Sequence, residues 1–172
     1  MKVTDEVIYV MTDPIHFIGR NENAGQSLRH GLDVSFVGRP RAGTTLQASC
    51  SYITARFDAG EYAGNDLTMI PKLKFNFGAS HDLTSQLRLS SQIVCTGAQY
   101  VISDESNTLL KLPAYWRADL RARYSVRKWA VEGAIRNLTN NKYSTRAITD
   151  GFMTYFTPAA GINAEVAVNY QF

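Results

Sequence analysis

Ionisable side chains recur at every second position between Tyr115 and Val126, and they form the chain's most chemically capable set. The same spacing continues in two later segments, so the full set is Arg117, Asp119, Arg121, Arg123, Glu132, Arg136 and Glu165. Residues at this spacing share one face of a strand, where they could bind a ligand or pair across strands and contact water or an enclosed domain. The pattern favours ion pairs, and the ligand-binding alternative stays open.

The three histidines offer little for catalysis. Covalent or acid–base catalysis needs a nucleophile, a base and an orienting group that converge. His16 and His30 are predicted at one end of neighbouring strands and His81 at the opposite end, with no serine motif near any of them. We therefore predict no enzyme, no cofactor and no metal site.

Length and composition limit the architecture. The 172 residues, 45% of them hydrophobic and 19% charged, fit one domain that spans residues 1–172. No apolar run approaches the roughly 18 residues of a transmembrane helix. Residues 1–13 lack the features of a signal peptide, so an export signal is expected upstream. The net charge of +3 comes from scattered Lys and Arg, which argues against nucleic acid as a partner.

Apolar and polar residues alternate with a period of two in about eight segments, separated by Gly, Asn, Asp and Pro clusters. The predicted strands are 5–12, 27–38, 44–57, 69–80, 85–100, 115–126, 129–138 and 162–172. Most have about 9 to 14 residues, which suits a tilted bilayer crossing better than a usual globular strand. The alternation therefore predicts an all-β, antiparallel transmembrane β-barrel.

Two cysteines fall on predicted strands that have one strand between them. At a strand spacing of about 4.8 Å, Cys50 and Cys95 would be roughly 10 Å apart. That distance is beyond the reach of a disulfide. Both are therefore expected to be free residues of the wall.

The connections alternate between short and long. Residues 39–43, 81–84 and 127–128 are short turns, whereas 14–26, 58–68, 101–114 and 139–161 are long loops. Bacterial outer-membrane barrels have short periplasmic turns and long external loops, which assigns the C-terminus to the periplasmic side. A water-soluble β-sandwich would also show this alternation, but nothing requires its aromatic residues to lie at one height along the strands. This orientation places one girdle near the periplasmic strand ends: Phe36, Phe77, Tyr124, Trp129, Tyr170 and Phe172, with Trp116 near the outer interface.

Four motifs resemble those of the TonB-dependent outer-membrane receptor family. Residues 21–36 are similar to the family's N-x-G-x-x-x-x-x-G-hydrophobic-E segment, with Asp33 at the acidic position. Residues 111–124 resemble its LPxYxxxDLxxxY strand. Residues 137–143 are similar to its NLxDxxY turn, with Asn where Asp is common. The closing residues 170–172 resemble its terminal aromatic signature, so the matches span nearly the whole chain in order.

This resemblance implies about the last eight strands of a roughly 22-stranded barrel, with the plug domain and the N-terminal strands absent. The implied function is import of a scarce ligand, such as a ferric siderophore or another metal chelate, across the bacterial outer membrane. The implied partners are outer-membrane lipid, the chelate, the TonB complex through the missing N-terminal segment, and the barrel-assembly machinery.

A small stand-alone eight-stranded barrel with a structural or adhesive role is the alternative. Such a barrel is only just wide enough for its own side chains. Closing it would crowd an excess of inward-facing Lys and Arg, which a wide, wet or plugged lumen accommodates more easily. The charge distribution therefore favours part of the larger barrel.

The resemblance also implies that external loops and the upper wall contact the ligand. By position, the candidates are Tyr62, Asn65, Asp66, Tyr100, Asp104, Glu105, Arg146, Asp150, Phe152, Tyr155 and Phe156. An aromatic-rich loop with an arginine could bind an anionic chelate through stacking and cation–π contacts. Packing within the loops is the alternative role for each of them.

Tyr170 and Phe172 lie on one face at the C-terminus. They resemble the signal that the barrel-assembly machinery recognises in outer-membrane proteins, through capture of an unpaired terminal strand. Membership of the aromatic girdle is a compatible role for both residues.

Overall fold

The structure is a computed structural model that describes residues 1–13, 15–16 and 18–172. Pro14, with which one predicted loop begins, and Phe17 lie outside the described residues. No helix in the described part of the chain is long and apolar enough to cross a membrane. The strands found there are β1 (Lys2–Val3), β2 (Val7–Asp13), β3 (Ile18–Asn23), β4 (Gln26–Arg41), β5 (Thr44–Ala59), β6 (Leu73–Asp82), β7 (Leu87–Thr96), β8 (Tyr115–Val126), β9 (Trp129–Arg136), β10 (Ser144–Thr149), β11 (Thr154–Pro158) and β12 (Asn163–Tyr170).

Eight strands form one antiparallel sheet in the order β1-β4-β5-β6-β7-β8-β9-β12. From β4 to β9, each strand pairs with its neighbour in sequence. β1 and β12 lie at the two edges, so the sheet is open. The prediction of an all-β antiparallel wall that forms part of a larger barrel is confirmed.

The strand predicted at residues 5–12 is present as β2, but its predicted place in the wall is wrong. β2 pairs with β3 in a separate hairpin, and the short β1 occupies the place beside β4. Glu6 redirects the chain, because its N–H donates to the carbonyl of Gly25 and its carboxylate accepts hydrogen bonds from Ser27 and Arg29. Since β3 is also extended, β2 satisfies its backbone groups within the loop instead of in the wall.

The other seven predicted strands are confirmed, β8 with the predicted ends and the other six with shifted ends. The predicted strands 69–80 and 85–100 are β6 and β7, which have ten residues each. Residues 69–72 and 97–100 belong to the external loops instead, and residues 85–86 belong to the short turn between β6 and β7. Within the predicted loop 139–161 the chain forms a further hairpin, β10–β11, that the alternation did not indicate.

One face of the sheet exposes its apolar side chains. Leu32 is 65% exposed, Val34 55% and Val166 75%. A continuous exposed apolar face of this kind is a liability in water, whereas it suits the hydrocarbon that surrounds a transmembrane barrel. This face is therefore the lipid-facing side, and the opposite face is the inner wall.

The cysteines lie where the alternation places them. Cys50 is opposite Phe75, and Phe75 is opposite Cys95, so the two thiols sit on alternate strands of one row. Trp116 continues the row on the lipid-facing side. Both cysteines are free, as predicted.

Aromatic residues meet at the short-turn end of the last two wall strands. Trp129 is opposite Tyr170, and their ring centroids are 4.7 Å apart. The ring of Phe172 packs edge-on against Tyr170, with the centroids 5.3 Å apart. These contacts form one end of the aromatic girdle expected at a membrane interface.

Substitution of Gly31 tests the close pairing of β4 with β5. An ideal Cβ at Gly31 would overlap the carbonyl oxygen of Tyr52 and lie 3.0 Å from the Cα of Ile53. We expect Gly31→Ala to force the strands apart and to lower the free energy of unfolding by about 1–3 kcal/mol. The measurement is the folded fraction in urea, read from heat-modifiable gel migration.

Gly133→Ala is the matched control, because a Cβ there meets nothing within 4 Å. It should leave stability unchanged or raise it by about 0.5–1 kcal/mol, since glycine in a strand costs that much relative to alanine. Equal losses in both variants would contradict the close approach at Gly31.

Candidate functional site

The seven charged residues predicted for the lumen wall all lie on the inner face of β8, β9 and β12. Glu132 lies between two arginines, 3.0 Å from Arg121 and 3.8 Å from Arg123. Arg136 and Glu165 pair across β9 and β12 at 2.6 Å. Most of these groups are partly exposed, and such pairs contribute only about 0–1 kcal/mol each in water.

Arg117 and Asp119 complete the set, and Asp119 is its most buried side chain. Their side chains pair at 3.0 Å and are 31% and 16% exposed. The second carboxylate oxygen of Asp119 accepts a hydrogen bond from the N–H of Asn137 at 2.9 Å. Arg117 Nε is buried without a hydrogen-bond partner in the described part of the chain. Arg29 Nε on β4 is in the same position, so two buried donors of the inner face have no partner among the described residues.

The long loops fold over the inner face at the external end of the sheet. Ala55 and Phe57 of β5 are 4% and 2% exposed, and they pack against Ala24 and Leu67 from two different loops. Both β5 residues share the face of Ser51, which hydrogen-bonds Asp33 of the inner wall. The loops therefore cover the mouth of the lumen instead of standing away from it.

A second cluster joins the remaining loops. Val101, Leu112 and Ala147 are at most 1% exposed, and Met69 packs against them. Ile102 also bridges Ile148 of the β10–β11 hairpin. The four long connections consequently form one packed external layer.

Asn65, Asp66 and Asn107 tie two of these loops together. The amide of Asn65 donates to the carbonyl of Glu105 at 2.9 Å. Asn107 accepts from the N–H of Asp66 at 2.7 Å and donates to the carbonyl of the same residue at 3.0 Å. Two predicted ligand contacts, Asn65 and Asp66, therefore hold the layer together.

The carboxylate of Asp66 also forms ion pairs, at 3.0 Å with Arg56 and 2.7 Å with Lys72. Burial raises the pKa of Asp66, but hydrogen bonds and charge from Lys72 and Arg56 outweigh it and hold the pKa below its ordinary value. Tyr62 packs near Phe57 with ring centroids 5.6 Å apart. Burial, followed by the nearby charge of Glu61, raises the pKa of Tyr62.

Asp104 and Glu105 are buried, at 2% and 5% exposure. The Asp104 carboxylate accepts hydrogen bonds from the N–H groups of Thr108 and Leu109. Burial raises the pKa of Glu105, and the charge of Asp104 raises it further, while a hydrogen bond with Thr68 acts in the opposite direction. Neither carboxylate is open to solvent as the loops are arranged here.

The β10–β11 hairpin carries the exposed candidates. Phe152 at its tip is 95% exposed and Phe156 is 54% exposed, and Arg146 is exposed on β10. Asp150 shapes the tip, because its carboxylate accepts hydrogen bonds from the N–H of Phe152 and the hydroxyl of Tyr155. Backbone hydrogen bonds from Met153 and Phe152 lower the pKa of Asp150.

Asn137 is a structural residue that sequence reasoning missed. It is 1% exposed with φ of 52°. Its side-chain amide donates to the carbonyls of Asn141 and Ala160, and its side-chain oxygen accepts from the N–H of Asn141. Asn tolerates this left-handed conformation better than most residues. The signal was present in the 137–143 turn motif, whose first residue is this asparagine.

Two aromatic contacts at the lumen mouth were also missed. The rings of Tyr115 and Tyr143 stack with centroids 4.1 Å apart and an interplanar angle of 12°. Lys111 Nζ lies 4.2 Å from the ring centroid of Tyr100. Each pair joins residues that stand at least eleven positions apart in the chain, so spacing alone does not indicate it. No group of three or more His, Cys, Asp or Glu among the described residues could hold a metal ion.

Comparison with known families gives a match over most of the chain. The family described as TonB dependent receptor-like, beta-barrel, matches residues 1–138. Among curated proteins, the chain is 27% identical over 157 residues to the ferrichrome receptor FcuA of Yersinia enterocolitica. The match covers 85% of this chain and 20% of that protein, so the chain spans about a fifth of the length of this relative.

Solved structures share the fold. The siderophore receptor PiuA from Acinetobacter baumannii superposes with a TM-score of 0.75 at 24% identity, over 98% of this chain and 25% of that one. The ferric yersiniabactin uptake receptor FyuA from Yersinia pestis gives 0.78 at 18% identity, over 89% and 25%. The copper transporter OprC gives 0.79 at 16% identity, over 99% and 27%.

The buried carboxylate of Glu105 predicts a pH dependence of the external layer. Its pKa in the folded layer is raised above the ordinary value of 4.5. Glu105 therefore contributes most to the stability of the layer below that value, and this contribution is lost as the pH rises through the raised pKa. We expect Glu105→Gln to remove this loss, measured as slower hydrogen exchange of the residue 65–67 and 107–109 amides at pH 7.

Glu61→Gln is the control, since Glu61 is an exposed carboxylate in the adjoining loop. It removes the same charge without relieving a buried one. If both variants slow exchange equally, net charge and not burial of Glu105 sets the pH dependence.

Proposed function

The chain belongs to the TonB-dependent receptor β-barrel family, and from that premise we propose that it forms part of the wall of a receptor that imports a metal chelate. Members of this family are transport receptors of the bacterial outer membrane, and the chain is located in that membrane. The chelate we propose is a ferric siderophore or a complex of similar chemistry. The observation that carries the proposal is the packed external layer, which covers the outer end of a charged inner wall and exposes an aromatic hairpin.

The names of the relatives support a chelate as the ligand class. The similar curated protein is a ferrichrome receptor, and two of the similar structures are named as receptors for siderophores or ferric yersiniabactin. A copper transporter has the same fold. The shared feature is a metal that is imported, so the proposal names the class and not one compound.

We propose that residues 1–172 supply one portion of the barrel. Eight strands are about a third of a wall of roughly 22 strands. The open edges at β1 and β12 present unpaired backbone groups, which further strands would satisfy in a membrane. The plug domain and the segment that engages the TonB complex would come from sequence outside these residues. The open sheet gives no support to a stand-alone eight-stranded barrel.

The proposed ligand surface consists of the exposed candidates. The β10–β11 hairpin presents Arg146, Phe152 and Phe156, and a guanidinium among aromatic rings suits an anionic chelate. The half-buried Tyr100, whose ring lies beneath the Lys111 ammonium group, adds a second site with an aromatic ring and a cation. The other candidates would act through these, because they are buried or hold the loops together: Tyr62, Asn65, Asp66, Asp104, Glu105, Asp150 and Tyr155.

We propose that the C-terminal strand is the part that the barrel-assembly machinery recognises. Tyr170 is held between Trp129 and Phe172 on the lipid-facing side. β12 pairs with β9 along one edge only. An unpaired edge with aligned aromatic residues is suited to capture by strand addition.

The ligand surface is tested by replacing the hairpin aromatics. We expect Phe152→Ala combined with Phe156→Ala to weaken binding of a ferric chelate by about tenfold, because a loss of about 0.7 kcal/mol for each aromatic ring sums to about 1.4 kcal/mol. The measurement is binding to the complete receptor in isolated outer membranes, with ferrichrome and a ferric tris-catecholate as the two probes.

Leu110→Ala is the matched control, since Leu110 is 90% exposed on a neighbouring loop and is not a candidate contact. It should bind both chelates as the unaltered receptor does. Equal weakening in the control, or failure of the unaltered receptor to bind either probe, would count against the proposed surface and ligand class.

A further inference from the structure

A polar cluster lies on the lipid-facing side of the sheet, at the short-turn end. Arg41 is opposite Thr44 on the neighbouring strand, and Thr44 is opposite His81 on the next one. The same row continues through Leu89 and Ala122 of the apolar face. The three polar side chains therefore stand where the wall otherwise presents apolar groups.

The cluster is connected by short contacts. Arg41 Nε donates to the hydroxyl of Thr44 at 3.1 Å, and the same hydroxyl lies 2.8 Å from His81 Nδ1. Arg41 Nη2 lies 3.5 Å from His81 Nε2. Arg41 is exposed, while Thr44 and His81 are half-buried. The guanidinium is thus positioned by its neighbours but keeps donors free.

No carboxylate of the described residues pairs with Arg41. The nearby acid is Asp82 at the end of β6. Its N–H donates to the carbonyl of Gly43, which lies in the turn that follows Arg41. The Asp82 carboxylate is bound by Arg88 through two hydrogen bonds, at 2.6 and 2.9 Å, on the inner face. Arg39 adds a further exposed cation to the turn. The lipid-facing edge here therefore carries uncompensated positive charge.

A shallow groove runs from this cluster along the lipid-facing side. Its lining includes the small residues Ala79 and Ser91, flanked by Leu89 and Leu120, and it ends at His81. Ala79 and Ser91 are opposite each other on β6 and β7, so their small side chains leave a depression between larger apolar neighbours.

We propose that Arg41, Thr44 and His81 bind the phosphate of an anionic phospholipid, with one acyl chain lying in the groove over Ala79 and Ser91. An arginine near the membrane interface is tolerated at little cost, and guanidinium groups bind phosphate through paired hydrogen bonds. Short turns face the periplasm, so the lipid belongs to the periplasmic leaflet. The inference rests on the outer-membrane location and is independent of the ligand that the receptor carries.

Native mass spectrometry of the complete receptor, extracted into detergent, tests the site. The probes are phosphatidylglycerol and phosphatidylcholine with identical acyl chains. The unaltered protein should retain phosphatidylglycerol in preference, and Arg41→Gln should reduce that preference about fivefold, the equivalent of ~1 kcal/mol for one cation at an anionic surface. Arg41→Lys should keep most of it.

Lys142→Gln is the control, because it removes one exposed positive charge from the external end. It should leave the lipid preference unchanged. If Arg41→Gln shows no heat-modifiable migration, it does not fold, and Thr44→Val then provides the test. This variant removes the hydroxyl that contacts both Arg41 and His81 without changing the charge.

Three results would overturn the assignment. The first is equal retention of the two lipids by the unaltered receptor. The second is an unchanged preference in folded Arg41→Gln, or in Thr44→Val where that variant stands in for it. The third is displacement of phosphatidylglycerol by equimolar inorganic phosphate, which would make free phosphate the ligand. Chelate binding plays no part in this readout, so its failure is distinguishable from failure of the transport proposal.

Discussion

Backbone hydrogen bonding in hydrocarbon is the constraint on which this structure depends. A strand that crosses a membrane must pair every N–H and C=O with a neighbouring strand, because lipid offers no replacement partner. From β4 to β9 each strand meets this requirement with the strand next to it in sequence. Pairing in turn fixes the faces, so apolar residues such as Val34 meet lipid while charged residues such as Arg121 face the lumen. The outer edges of β1 and β12 have no partner strand in this sheet, so further strands would be needed to pair their backbone groups in a membrane.

The wall could be predicted because this constraint repeats along the chain. Period-two alternation identifies the strands, and tight turns fix their register, as at Val126 opposite Trp129. The ends of strands were predicted less well. Residues 97–100 continue the alternation of β7, yet they leave the wall, because Gln99 pairs with Leu112 of the external layer. Alternation reports an extended chain, and it does not report which partner that chain has.

The external layer could not be predicted for the same reason. Asp104 and Glu105 are acidic loop residues of the kind that can contact a ligand. In the structure, however, the Asp104 carboxylate accepts hydrogen bonds from backbone N–H groups, and Glu105 is buried beneath another loop. Residues 5–12 alternate as a wall strand would, but the carboxylate of Glu6 turns the chain back toward Arg29. Both outcomes depend on contacts between distant segments, and these are decided by the assembled fold. The placement of Phe152 and Phe156 in an external loop, in contrast, needed only the correct identification of that loop.

The buried polar residues explain how loops and wall are joined. Asn137 donates its N–H to Asp119, which pairs with Arg117 on the inner face. Its side chain also holds Asn141 and Ala160, which stand on either side of the β10–β11 hairpin. A displacement of the hairpin therefore strains buried hydrogen bonds that end at an inner-wall ion pair, and such bonds are costly to leave unmade. The β10–β11 hairpin is thus connected, through one asparagine, to the charges of the inner face.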